Sequence, residues 1–206
     1  MRPARLRRGR RLAPEARRES LLDVAEGLLL EQGYLPLGVQ DLAEAAKVSK
    51  ALVYKYFPEP PDLYNALLER ACAELADAGL ERAARDEHAP AAAVGAAEVY
   101  YRLICEAGPL VQIILRDRFM SGRVGREAAA LRDRTCRALA RGLRREFGLP
   151  ARQAVACVSI GMAIPEECGR LAYQGDLDVE QGSALCRQLV LGVIDVAGRR
   201  GAEMRR

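Results

Sequence analysis

Residues 38–57 read GVQDLAEAAKVSKALVYKYF. Leu42, Ala43, Ala46, Val48, Val53 and Phe57 are the positions that two short helices crossing at a steep angle would turn inward. Asp41, Glu44, Lys47, Lys50, Lys55 and Tyr56 stay outside. Ser49 stands just ahead of the second helical run, where its hydroxyl can cap free backbone N–H groups. This is the plan of a helix-turn-helix, whose second helix lies in the DNA major groove. Lys47, Lys50 and Lys55, the chain's three lysines, all fall in the turn and second helix, and every other basic residue is arginine. A compact ammonium at each of these places suits contact with phosphate.

On that plan DNA contact comes from Lys50, Ala51, Leu52, Tyr54, Lys55 and Tyr56, with Gly38, Gln40, Lys47 and Ser49 in support. Lys50, Ala51 and Leu52 lie at the N-terminal end, nearest to base edges, and the two apolar ones suit thymine methyls. Tyr54, Lys55 and Tyr56 are better placed for phosphates.

The order Gly33-Tyr34, Val39, Asp41-Leu42-Ala43, Val48-Ser49-Lys50, Tyr54 and Phe57 resembles the tetracycline-repressor (TetR) family, with the specific likeness running over residues 17–68. The resemblance implies a one-component bacterial regulator with an N-terminal DNA-binding domain and a helical, ligand-sensing, dimerising body. Three positions depart from the family pattern. The turn residue that is usually Gly is Lys47, and the usual Thr or Ser ahead of the helix-turn-helix is Gly38, a weaker but acceptable cap. The lysine usual at the start of the fourth helix, a phosphate contact, is Pro60.

Composition agrees with an all-α chain. Aromatic residues are 5% of 206, Trp is missing, and Ala, Leu, Arg and Glu, all good helix formers, dominate. Arg, Asp or Glu interrupts every apolar run before it reaches membrane-spanning length, and the N-terminus has no signal-peptide apolar core, so a cytoplasmic protein is expected. Residues 1–57 hold 11 basic against 7 acidic residues, and the remainder 21 against 21, so the net charge of +4 belongs to the N-terminal quarter. A DNA-binding head over a neutral body has this distribution.

Along the chain, residues 1–14 form an Arg-rich arm without apolar periodicity, expected to be disordered off DNA. Residues 15–61 make a three-helix head, with helices over 15–32, 38–46 and 50–57. Residues 62–206 make the body. The run Pro58-Glu59-Pro60-Pro61 is read as non-helical, with Pro61 near the start of a fourth helix that continues to about residue 85 and links head to body. Further helices are expected over 91–106, 110–120, 123–147, 151–174 and 181–197, separated by Gly and Pro. His88, the single histidine, reads as an exposed loop residue.

The last two segments are apolar over more than one face, so each must be buried on two sides. A four-helix homodimer seam satisfies this, and Val158, Gly161, Leu171, Leu185, Leu189, Gly192 and Val196 are its expected members. Pro165 interrupts the first of these helices and should kink it beside Glu166 and Glu167. Either those carboxylates face solvent and an arginine such as Arg170, or one lines a ligand cavity. Tyr100, Tyr101, Phe119, Met120 and Met162 are core fillers or pocket walls, which look alike in a sequence. A carboxylate in an apolar pocket points to a neutral or cationic effector.

No enzyme signature is present: a Ser/His/Asp set is confined to His88, and phosphate-binding glycine loops are missing. Cys72, Cys105, Cys136, Cys157, Cys168 and Cys186 are spread without CxxC pairs, so no metal or other cofactor is expected and free thiols are the default, with redox sensing the alternative. The expected function is a dimeric, ligand-released regulator, most simply a repressor, binding a palindromic DNA operator and a small-molecule effector. The alternative is a helical interaction or carrier protein whose head has lost operator binding.

Overall fold

The structure is a computed structural model that describes residues 13–204, so the basic arm, up to residue 12, lies outside the described residues. Those residues form ten α-helices and one short 3-10 helix, with no strand among them. The head is α1 (Pro14–Gln32), α2 (Val39–Ala45) and α3 (Lys50–Tyr56). The body follows as α4 (Pro60–Asp77), α5 (Leu80–Ala83), α6 (Ala89–Ala107), α7 (Leu110–Arg116), the 3-10 turn Arg118–Met120, α8 (Arg126–Phe147), α9 (Ala151–Tyr173) and α10 (Val179–Glu203). Among the described residues no helix is long and apolar enough to cross a membrane.

In α1 the apolar stripe Leu21, Leu22, Ala25 and Leu29 is buried, and Gly33, at φ 80°, ends the helix by donating its N–H to the Leu29 carbonyl. That stripe meets Leu42, Ala43, Val53 and Phe57 from the next two helices and Leu63, Tyr64, Leu67 and Leu68 from α4. Burying these side chains in one cluster fixes the steep α2–α3 crossing that the sequence pattern requires.

Two expectations about α4 change. Pro60 is already helical, as the first residue, because a helix start has no use for the N–H that proline lacks. Asp62 then accepts a hydrogen bond from the Glu59 N–H at 2.9 Å, closing the first turn. At the other end the helix stops at Asp77 rather than near residue 85. Gly79 adopts φ 88°, and the chain turns into the single helical turn of α5.

The 3-10 turn belongs to the head side. Phe119 meets Tyr64 edge-on, with ring centroids 5.7 Å apart, and Met120 is buried in the same cluster. Arg70 of α4 binds Asp23 at 2.7 Å and also Glu26, both on α1. A second cluster packs α6, α8, α9 and α10 around Tyr100, Leu139, Leu143 and Ile194. A third places Tyr101, Cys168, Cys186 and Val190 between α6, α9 and α10. The α9 helix runs unbroken through Pro165, which is buried. His88 is exposed and immediately precedes α6.

Candidate nucleic-acid interface and ligand cavity

The turn between α2 and α3 is closed by backbone bonds from Lys47 N–H to the Glu44 carbonyl at 3.1 Å and from Val48 N–H to the Ala43 carbonyl at 2.9 Å. That geometry puts Lys47 at φ 54°, the only non-glycine residue in the left-handed region among those described. A Gly there would be free of the Cβ clash that the lysine bears. Ser49 has extended backbone and accepts the Leu52 N–H on its hydroxyl at 3.3 Å, a capping bond that starts α3. Gly38 precedes α2 in extended conformation and offers no side-chain cap.

Lys50, Ala51, Tyr54 and Lys55 stand together on the outer face of α3, all exposed. Lys47, Ser49, Gln40 and Gly38 flank them and are also exposed. Gln40 joins the two helices, since its carbonyl accepts from Lys50 Nζ at 2.8 Å and its amide donates to Glu44 at 2.7 Å. Leu52 and Tyr56 are half-buried, with Tyr56 packed against the head core, so both sit on the flank of the face instead of at its crest.

The pocket residues expected from sequence separate. A cavity of about 60 Å³ lies between α4, α6, α7, α8 and α9, and Tyr100, Met162 and Glu166 line it. Tyr101 is elsewhere, donating its hydroxyl to the Val179 carbonyl at 2.8 Å inside the third cluster. Phe119 and Met120 serve the head-side core, as described, because α7, whose Val111 and Leu115 line the cavity, ends at Arg116 and the following 3-10 turn packs toward Tyr64. Glu167 is exposed and paired with Arg170, whose hydrogen bond holds the Glu167 carboxyl below the usual carboxylate range. Glu166 is paired too, with Arg116 of α7. Burial, aided by the nearby Glu166 charge, pushes the Tyr100 phenol up and keeps it neutral.

Two cavity residues escaped the sequence reading. Thr135 is buried and its hydroxyl has no hydrogen-bond partner. Arg132 also lines the cavity and makes no ion pair among the described residues. Both lie on α8, three residues apart, and the signal for them was a threonine inside an otherwise Ala/Leu stripe.

The expected dimer residues also divide. Leu185, Leu189, Gly192 and Val196 form an exposed row on α10, with Leu189 46% exposed. On α9 the exposed large apolar residues are Val155 and Ile160, the latter at 64%, whereas Val158 is 7% exposed and belongs to the chain's own core. Gly161 and Leu171 are half-buried, Gly161 against a second cavity. Periodicity could not separate the buried Val158 from the exposed positions because α9 is apolar on both faces.

All six cysteines are free thiols. Burial raises Cys72, Cys105, Cys136 and Cys168, and pushes Cys186 up to about 12, which leaves them poor nucleophiles at neutral pH. Among the described residues no group of three or more His, Cys, Asp or Glu is placed to hold a metal ion.

Comparison with known proteins places this geometry. The family of bacterial regulatory proteins, tetR family, matches residues 21–67, the head and the start of α4. Over 64 residues the chain is 39% identical to the HTH-type transcriptional activator FasR of Mycolicibacterium smegmatis, a match that spans 31% of this chain and 29% of FasR. The whole fold is similar to that of a TetR-like transcriptional regulator from Rhodococcus sp. RHA1, with TM-score 0.67, 19% identity and coverage of 88% of this chain and 97% of that one. It is also similar to a TetR variant from Acinetobacter baumannii AYE in complex with minocycline, with TM-score 0.61, 17% identity and coverage of 93% and 99%.

Proposed function

Because this chain belongs to the TetR family of bacterial transcriptional regulators, we propose that it is a homodimer that binds a palindromic DNA operator and is released by a small molecule held in its body. The observation that carries the reading is the uncovered face of α3, where Lys50, Ala51, Tyr54 and Lys55 stand exposed beside Lys47. Cations on that helix neutralise phosphates, and its N-terminal end reaches base edges. The exposed α9–α10 row supports two-fold association, since Gly192 lets a second helix approach closely and Leu185, Leu189 and Val196 flank it. Such a dimer would set its α3 helices one helical repeat apart, about 34–36 Å, or a multiple of it. It would act in the cytoplasm, on chromosomal DNA.

The cavity supports effector control. Its walls include Leu68 and Leu75 of α4, which continues from the head, and Leu115 of α7. A ligand that favours one position of these helices shifts the spacing of the two α3 helices and so the operator affinity. Repression relieved by ligand is the proposed direction. FasR, which matches the head, is named an activator, so the direction is to be read from a reporter gene under the selected operator.

Selection of bound duplexes from a random pool tests the reading. A palindromic consensus with salt-dependent affinity is expected. Failure to enrich any sequence, with the protein folded, would mean that the body has kept its fold while the head has lost operator binding.

A further inference from the structure

The cavity beneath α4 carries polar chemistry that a purely apolar ligand would leave unused. Thr135 points a buried hydroxyl into it without a partner, at a cost that a ligand acceptor would relieve. One turn away, Arg132 presents a guanidinium to the same rim with no carboxylate opposite it among the described residues. Glu166 is already neutralised by Arg116, which stands outside the lining, so the one unpaired charge lining the cavity among the described residues is the Arg132 guanidinium. The local sign is therefore positive, the reverse of what Glu166 suggests when read alone.

The rest of the space is hydrocarbon. Leu68, Leu75, Val111, Leu115 and Leu131 wall the first cavity. Beyond Met162 lies a second cavity of about 40 Å³, lined by alanines of α6 with Leu139, Leu143 and Ile194. Met162 lines both, and its unbranched thioether is the side chain best able to swing out of a passage.

We propose that this cavity binds an amphipathic carboxylate, with the anionic head on Arg132 and the Thr135 hydroxyl and the alkyl chain running toward Met162. Longer chains pass Met162 into the second cavity. The proposal deepens the effector reading and rests on it for the site but not for the ligand's charge.

Calorimetry on the full chain with octanoate, octan-1-ol and octylammonium separates the head groups at constant chain length. Octanoate should bind at least about tenfold more tightly than the other two, because a charge-assisted bond is replaced by a weaker one or by repulsion. Arg132→Gln, on an exposed side chain, should bring octanoate to the level of octan-1-ol and leave octan-1-ol unchanged. Met162→Phe should weaken dodecanoate about tenfold with octanoate little affected, since only the longer chain needs the passage. Octylammonium binding as tightly as octanoate would overturn the proposal, as would an unchanged octanoate affinity in folded Arg132→Gln or no binding of any of the three. Octanoate binding that leaves operator affinity untouched would support the site and remove only the release mechanism.

Discussion

The Leu35 N–H donates to Asp117 Oδ2 at 3.1 Å, joining the loop ahead of the helix-turn-helix to the residue that ends α7. Asp117 Oδ1 also accepts the Phe119 N–H at 2.8 Å, and the Tyr64 hydroxyl accepts the Leu37 N–H at 2.7 Å close by. Head and body thus share two of these bonds, one on Asp117 and one on Tyr64, and the third fixes the aspartate within the body. Asp117→Ala strips two part-buried N–H groups of their acceptor, a loss of about 1–2 kcal/mol. A fall in Tm of roughly 3–6 °C is expected for a chain of this size. Asp117→Asn keeps one carbonyl acceptor and should lose less than half as much in the same thermal melt.

Lys47→Gly should separate stability from DNA affinity. Relief of the left-handed strain at φ 54° should stabilise the head by about 1 kcal/mol. Loss of the ammonium should meanwhile weaken every operator alike and reduce the salt slope by about one. Thermal melts and titrations at several salt concentrations read the two effects independently. A Tm below wild type would mean that the lysine contributes packing that its exposure does not suggest.

For Lys55, exposed on the α3 face, a phosphate role predicts that Lys55→Ala weakens specific and nonspecific duplexes about equally, with a salt slope lower by about one. Unchanged slope and affinity would remove it from the interface. Tyr56→Ala, by contrast, should cost fold stability first, because that ring is packed against the head core.

Leu189→Arg and Val158→Arg should fail differently. Leu189 is exposed on the proposed seam, so an arginine there leaves the protomer folded and blocks association, shifting sedimentation to monomer and abolishing operator binding. Val158 is buried within the protomer, so the same change introduces an unpaired core charge and unfolds it. A folded dimer of Leu189→Arg would move the interface off α10.

The contrast between those two residues marks what the sequence could carry. The head was legible because Leu42, Ala43, Val53 and Phe57 have one possible inside, and Ser49 and Gly33 punctuate it. Lys47 stood out as a departure, and the structure gives its cost in a dihedral angle. In α9 both faces are apolar, so periodicity could not say which stripe faces the protomer's own core. Phe119 and Met120 could be read as core or as pocket wall, and they belong to the core because α7 ends at Arg116 and turns them toward the head, which no local residue announces. Charge pairing was the least legible feature. Glu166 looks like a free pocket anion until Arg116, 50 residues away, is seen bound to it.

Replacing Glu166 and Glu167 singly with Gln tests that last point and the sign of the cavity together. Glu167 is exposed and pairs with Arg170 one turn along α9, away from the cavity, so Glu167→Gln should leave ligand and operator affinities within about twofold, as expected for a surface pair. Glu166→Gln removes the lining's carboxylate and leaves Arg116, beside the cavity, without that partner, while Arg132 remains in the lining. Octanoate should then bind several-fold more tightly and any cationic ligand more weakly, since like charges now oppose it. Loss of the α7–α9 tie should also alter operator affinity without ligand, because α7 runs directly into the Asp117 contact with the head. Calorimetry with octanoate and octylammonium, alongside operator titration, reads both. Octanoate bound no more tightly in Glu166→Gln would remove the Glu166–Arg116 pair from the ligand's head site, and a loss of octylammonium binding in that variant from a wild type that holds it tightly would return the cavity to a cationic effector.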